Sequence, residues 1–212
     1  MTARTLLSAT WHELVQRRGS GGPQAQLVLD ELVAAYLEPT RQYHTLEHIA
    51  QLLRHLEEHG RAVADRDAVA LAIIFHDAVY DARRQDNEQA SAVLARARLT
   101  SLAFTDALIG KVARYIEATQ HASALDVDDP DLALLLDLDL STLAAAPKEY
   151  GDYAKAIRHE YAYLPDSLYQ QGRCQVLASF LARARIYRTE ALHALWEQRA
   201  RANIMGEIAG LT

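Results

Sequence analysis

Apolar residues recur at helical spacing along almost the whole chain, and no stretch sustains the apolar–polar alternation of a half-buried strand. Glycine and proline, which interrupt helices, number only nine and five in 212 residues. The pattern predicts an all-α protein of about ten helices. No repeat, low-complexity tract or linker interrupts it, so we expect a single domain over 1–212. The predicted helices span 3–18, 24–37, 43–59, 67–75, 85–99, 105–119, 131–143, 148–162, 166–184 and 188–208.

Charge and composition exclude several classes of protein. The net charge of −6 argues against a nucleic-acid polymer as the main partner. No apolar run approaches the length of a membrane span, and the N-terminus lacks the apolar core of a signal peptide. The single cysteine, Cys174, allows no intramolecular disulfide and suits a reducing cytoplasm. The helix at 188–208 can pack within the domain or against a second copy, so both a monomer and a homo-oligomer stay open.

The dipeptide His76-Asp77 ends an apolar segment, AIIFHDAVYD. Burying a carboxylate among such residues is costly unless a cation or hydrogen bonds compensate. A metal ion would compensate and would also use histidines from elsewhere in the chain. The alternative is a histidine at a helix end followed by a solvated aspartate. Asp81, four residues later, is either a further ligand facing the same cavity or a turn residue.

His44 and His48 lie four residues apart in the predicted helix 43–59, which would place both on one face. This spacing suits two imidazoles that approach one centre, or one that binds metal while the other meets a substrate. The alternative is a surface helix that happens to carry histidines, since His55 and His59 lie in the same helix.

Asp137 and Asp139 end a second buried segment, LALLLDLD. Two residues apart, they differ by about 200° around a helix, so both cannot face one metal ion. We expect one to be a ligand and the other a cap or salt-bridge partner. Two ordinary acidic residues at a helix–turn junction are the alternative.

Further candidates are less specific. His121 is a potential ligand for a second metal ion, or a helix-terminal histidine near the negative end of the macrodipole. The run Asp86-Asn87-Glu88 is expected to cap the following helix, and Glu88 is a candidate base that orients water. Arginine can bind phosphate through two parallel hydrogen bonds, and candidates for this role are Arg41, Arg158 and Arg173.

Taken together, the order His, His-Asp, Asp resembles the HD-domain superfamily of metal-dependent phosphohydrolases. The run Tyr43-His44-Thr45-Leu46-Glu47-His48 is similar to the Tyr-His-Asn-x-x-His motif of cyclic-nucleotide phosphodiesterases, and Asp139-Leu140-Ser141 to their Asp-Leu-Ser. The chain as a whole is similar to a small bacterial branch of predicted HD phosphohydrolases. This resemblance spans about residues 41–205 and rests on RQYHTLEHI, FHDAVYD, DNEQAS, DLDLSTL, IRHEYAYL and EQRARANI.

The resemblance implies an HD-like helical bundle and a role for each matching residue. His44 would be the general acid that protonates the leaving oxygen. The ion would be divalent Mn, Fe, Zn, Co, Ni or Mg, and the substrate a small phosphate ester such as a nucleotide. The full second histidine set of dinuclear members is not found, so the number of ions stays open. The implied metal ligands are His48, His76, Asp77 and Asp139.

Two other functions stay open. An HD-like domain can hold metal or nucleotide and regulate a partner without turnover. A di-iron oxygenase is the third hypothesis, and it needs additional ligands, for which His121 is the ready candidate. Nucleotide-dependent thermal stabilisation without hydrolysis would favour the binding module, and two irons per chain with oxygen consumption would favour the oxygenase.

Overall fold

A computed structural model describes residues 1–120 and 128–211. Over these residues the chain forms ten α-helices and no strand, which confirms the predicted all-α class. The chain divides into two compact units, Met1–Ser123 and Ala124–Thr212. The single domain over 1–212 stays a prediction. None of the described helices combines the length and apolarity needed to cross a bilayer.

The first unit contains six of the helices. They are α1 (Ala3–Arg18), α2 (Pro23–Tyr36), α3 (Leu46–His59), α4 (Arg66–Phe75), α5 (Asn87–Ser101) and α6 (Asp106–Ala118). Helix α4 lies at the centre, in contact with α1, α3, α5 and α6. Every residue of α4 from Ala68 to Phe75 is buried, because this stretch is apolar on all sides. In the sequence, the run AVALAIIF of the predicted helix 67–75 is apolar on most sides and predicts a central buried helix, which the structure confirms.

Trp11 anchors α1 to this core. Its side chain is fully buried, and its indole N–H donates a hydrogen bond of 3.0 Å to the carbonyl oxygen of Ala25. Its ring meets the ring of Phe75 edge to face, with centroids 6.0 Å apart. The residue that precedes His76 is thus held by an aromatic contact from another helix.

Several ion pairs join helices at the surface of the first unit. Asp67, in the first turn of α4, accepts hydrogen bonds of 2.9 Å from Arg17 and 2.7 Å from Arg18 on α1. Burial raises the pKa of the Asp67 carboxyl, but the hydrogen bonds from both arginines outweigh it, so the pKa lies below its usual value. Arg98 on α5 forms a two-pronged pair with Glu31 on α2. These three pairs favour native helix packing at neutral pH.

The second unit contains α7 (Pro130–Asp139), α8 (Pro147–Glu160), α9 (Asp166–Leu181) and α10 (Glu190–Leu211). The prediction of one helix over 131–143 was wrong at its end, because α7 stops at Asp139 and a 3-10 helix, Leu140–Ala144, follows. Side chains from later in the chain bind the carbonyl groups of this segment. The Tyr187 hydroxyl donates to Leu140, and the Asn203 amide donates to Leu143 and Ala145. These bonds replace those that a longer α-helix would make.

Candidate metal centre

His48 enters the centre from the first turn of α3. The helix begins after Thr45, whose hydroxyl accepts a hydrogen bond from the Glu47 N–H and so caps the first turn. This start leaves His44 in the preceding loop, so the prediction that His44 and His48 share a helix was wrong. A threonine followed by a glutamate in the first helical turn is a helix-start signal that the pattern of histidines obscured.

His76 and Asp77 lie where α4 ends. The His76 N–H still donates to the carbonyl of Ala72 at 2.9 Å, and the chain then turns, with the Ala78 N–H bonded to Phe75. Because the turn follows the buried stretch Ala68–Phe75, the His76 side chain is 2% exposed and the Asp77 side chain 14%. The alternative of a solvated aspartate is excluded by this placement.

Three side-chain atoms converge at this point. Nε2 of His48 lies 3.3 Å from Nε2 of His76, and Oδ2 of Asp77 lies 2.9 Å from the His76 nitrogen and 3.7 Å from the His48 nitrogen. Ligand atoms about 2.1 Å from one ion, at angles of about 90–120°, stand about 3.0–3.6 Å apart. The triangle therefore has the dimensions of one face of a coordination shell, and these residues could hold a metal ion.

A main-chain hydrogen bond orients the His76 ring. Its Nδ1 lies 2.9 Å from the carbonyl oxygen of Ile73, which can only accept, so Nδ1 carries a proton. In the neutral ring this leaves the Nε2 lone pair directed at the triangle. Metal-binding histidines commonly use their second nitrogen in this way. The chemistry of the donor set thus fits a divalent transition-metal ion.

The Asp77 carboxylate is kept ionised by its neighbours. Burial raises its pKa, but the positive charges that His76, His44 and His48 carry when protonated, together with the hydrogen bond that Nε2–H of a protonated His76 donates, outweigh burial. The net result is a pKa well below the usual aspartate value. An ionised carboxylate is the form that binds metal.

Arg41 connects the loop before α3 to the turn after α4 through hydrogen bonds to main-chain carbonyl groups. Its guanidinium donates to the carbonyl oxygens of Asp77 at 2.5 Å and Ala78 at 3.1 Å, and more weakly to that of His44 at 3.4 Å. The side chain is 1% exposed. The sequence proposed Arg41 as a phosphate ligand, and that role stays a prediction. Its observed contacts give it a positioning role between the loop before α3 and the turn after α4.

His44 lies beside the triangle within a group of aromatic rings. Its ring stacks on that of Tyr80 with centroids 4.0 Å apart, and it lies 6.1 Å from the ring of His48. Tyr43 contacts both rings, at 4.9 Å from His44 and 4.8 Å from His48. The loop therefore holds His44 next to the candidate ligands without placing it among them.

The segment that carries Tyr80 is held by two residues of α5. The Ser91 hydroxyl accepts from the Val79 N–H and donates to the Val79 carbonyl. The Asn87 amide bonds in the same two-way fashion with the main chain of Asp81. Sequence reasoning missed Tyr80 and Ser91. Their signal was present in AVYD and DNEQAS, but the pairing of these segments is a tertiary contact that periodicity does not show.

Two acidic candidates in this unit, Asp81 and Asp86, make local contacts near the start of α5. Asp81 is exposed and accepts a hydrogen bond from the Arg83 N–H, so it is the turn residue of the two alternatives. Asp86 occupies the N-cap position of α5, as predicted, but its side chain pairs with Arg84 and does not cap the helix. Glu88 lies half-buried in the first turn of α5, and its role as a base stays a prediction.

In the second unit, Asp137 of the pair Asp137 and Asp139 has a structural role, because it binds main-chain groups just before α10. It is fully buried and accepts three hydrogen bonds of 2.7 Å, from the Arg188 and Thr189 N–H groups and the Thr189 hydroxyl. Burial raises the Asp137 pKa more than these donors lower it. It thus binds the amides just before α10 as a cap does. Asp139, the last residue of α7, remains the predicted ligand.

The other predicted site residues are the phosphate-binding candidates Arg158 and Arg173 and the metal-ligand candidate His121. Arg158 bonds to the carboxylate of Asp166 and to two carbonyl groups, and Arg173 forms a nearly buried pair with Glu207. Their predicted contacts with phosphate stay predictions. His121 lies outside the described residues.

Comparison with known proteins does not extend this assignment, since no protein-family model, curated protein or solved structure matches the chain.

Proposed function

We propose that the protein is an HD-type, divalent-metal-dependent phosphohydrolase that acts on a small phosphate ester such as a nucleotide. The observation that carries the proposal is the convergence of His48, His76 and Asp77, at distances of one coordination shell, beside the separately held ring of His44. A metal site with an adjacent acid is the minimum that this chemistry needs.

The residues divide the work between them. His48, His76 and Asp77 would hold the ion, and the resemblance adds Asp139 as a fourth ligand. The ion would supply Lewis acidity, which activates water at neutral pH and offsets phosphoryl charge. Positioning and charge stabilisation carry most of phosphoryl transfer, so little other chemistry is required.

His44 would deliver the proton to the leaving oxygen. Its stacking on Tyr80 fixes the plane of the imidazole, so that the ring needs no reorientation during turnover. Arg41 would keep the His44 loop and Asp77 in register through their carbonyl groups. Glu88 would orient water, as its proposed role requires.

The test separates metal retention from turnover. The parent protein, His76→Ala and His44→Ala would be purified and analysed for metal by elemental mass spectrometry. Hydrolysis of p-nitrophenyl phosphate, bis-p-nitrophenyl phosphate and a panel of nucleotides would then be measured with each retained ion. We expect His76→Ala to hold one ion fewer than the parent and to lose activity. His44→Ala should keep the ion and lose about 10²–10⁴-fold in rate.

Two results would overturn the proposal. Undiminished activity in metal-depleted Asp77→Ala would show that the triangle is not the catalytic centre. An ion lost in His76→Ala, with no ester hydrolysed but with nucleotide-dependent thermal stabilisation, would instead identify a binding module.

A further inference from the structure

The last turn of α3 carries a second cluster of metal-ligating side chains. His55, Glu58 and His59 occupy positions i, i+3 and i+4, which lie on one face of a helix. One ligand atom from each lies within 4.8 Å of the others. The two imidazole rings are stacked with centroids 5.9 Å apart, and Nε2 of His59 lies 3.7 Å from the Glu58 carboxylate.

The position of this cluster favours a cation. It lies at the carboxyl end of α3, where the helix macrodipole is negative. Two nearby arginines are each paired with a carboxylate, Arg54 with Glu47 at 2.9 Å and Arg66 with Glu57 at 2.5 Å. Glu58 is 69% exposed and can adjust to an added ion.

This cluster is separate from the centre at His48. His55 follows His48 by seven residues, so the two lie on the same face but about 10 Å apart along the helix axis. Ions in a shared two-metal centre lie about 3.5–4 Å apart. An ion at the end of α3 would therefore not be the second ion of a dinuclear phosphohydrolase.

We propose that His55, Glu58 and His59 form a second site, which binds one transition-metal ion of the kind that imidazole prefers, with Zn²⁺ as the probe. Histidines at i and i+4 on one helix face can bind one such ion, with the glutamate as a third ligand. Water would fill the remaining positions. Because the site is half exposed and its ligands must close in around the ion, binding would be weaker than at the buried triangle.

The experiment isolates this site by removing the other. Metal-free His76→Ala would be titrated with Zn²⁺ in a calorimeter, beside the same variant carrying His59→Ala. The matched control adds His12→Ala, which removes an exposed helical histidine of the same unit that lies outside both clusters. We expect saturable binding of one ion in His76→Ala and in the control, and its loss with His59→Ala.

A second measurement does not depend on whether His76→Ala folds. In the otherwise unchanged protein, His59→Ala should reduce the zinc stoichiometry by one ion and diminish the thermal stabilisation that zinc gives. The same isotherm with and without His59→Ala would overturn the proposal. The phosphohydrolase proposal would be unaffected, because it depends on His76 and not on His59.

Discussion

The guanidinium of Arg41 donates a hydrogen bond of 2.5 Å to the main-chain carbonyl oxygen of Asp77. The same group bonds to Ala78 and His44, and it lies near the rings of Tyr36 and Tyr80, at 5.3 and 5.6 Å from their centroids. One buried side chain thus sets the spacing between the loop before α3 and the turn after α4. The candidate centre depends on this cation although Arg41 contributes no ligand to it.

Arg41→Lys should therefore destabilise the protein although it keeps the charge. Lysine cannot reproduce the planar fork that reaches several carbonyl groups at once. We expect the free energy of unfolding in urea to fall by about 2 kcal/mol. Metal affinity at the buried centre should fall by about 10–100-fold.

The matched control is Arg54→Lys, since Arg54 is half exposed and pairs with the exposed Glu47. That change should stay within about 0.5 kcal/mol of the parent. Equal stability and metal affinity in Arg41→Lys and Arg54→Lys would show that Arg41 does not position the centre.

Asp137→Asn and Asp139→Asn should have opposite effects. Asp137 is fully buried and accepts three hydrogen bonds. In asparagine, the NH₂ group would replace one carboxylate oxygen and would lie against a main-chain N–H group, which can only donate. We expect Asp137→Asn to lower the free energy of unfolding by about 1.5–3 kcal/mol and to retain metal. Asp139→Asn should leave the fold intact and release metal.

Elemental analysis and urea unfolding of both variants check this pair of outcomes. Metal retention in Asp139→Asn at the parent level would remove Asp139 from the ligand set.

Acid should weaken the contact between α1 and α4. The native pKa of Asp67 lies below its usual value, so its ion pairs stabilise the folded state above the unfolded pKa. This contribution is lost as the pH falls through the lowered native value. Between about pH 5 and pH 2, the free energy of unfolding should fall less steeply in Asp67→Asn than in the parent.

The same reduced slope is expected when Arg17→Met and Arg18→Met are combined, because the partner charges are then absent. Parallel pH profiles for all three proteins would contradict this account of Asp67.

The number of ions per chain should depend on which histidine is removed. At zinc saturation we expect two ions in the parent, one in His76→Ala, one in His59→Ala and none in the double variant. A count of two in the parent alone would not distinguish this arrangement from a dinuclear centre. Loss of one ion in His121→Ala, with none lost in His59→Ala, would favour a dinuclear centre and reopen the di-iron hypothesis.

Periodicity and composition were sufficient to predict the helical class and the buried position of α4, because the run from Ala68 to Phe75 is apolar on every face. The apolar segment before His76 also predicted a buried His-Asp pair. The start of α3 was missed, since the Thr45 cap depends on one local hydrogen bond. The end of α7 was missed because tertiary partners of Leu140 and Leu143 decide it.

The structural role of Asp137 also needed the structure. Both follow leucines, and nothing in their spacing shows that main-chain groups 51 and 52 residues later would bind Asp137. Tyr80 was missed for the same reason, because its partner His44 lies on a different segment.

The contact between Trp11 and Phe75 gives this protein a built-in optical signal. The chain has two tryptophans, and the other, Trp196, lies in the second unit against Tyr187, with ring centroids 5.4 Å apart. Each unit therefore contains its own fluorophore. Replacing Trp196 with Phe would leave an emission spectrum that comes from Trp11. The ring of Trp11 contacts that of Phe75, the residue next to His76. Metal loading could then be followed by fluorescence in real time, without labels and without a substrate.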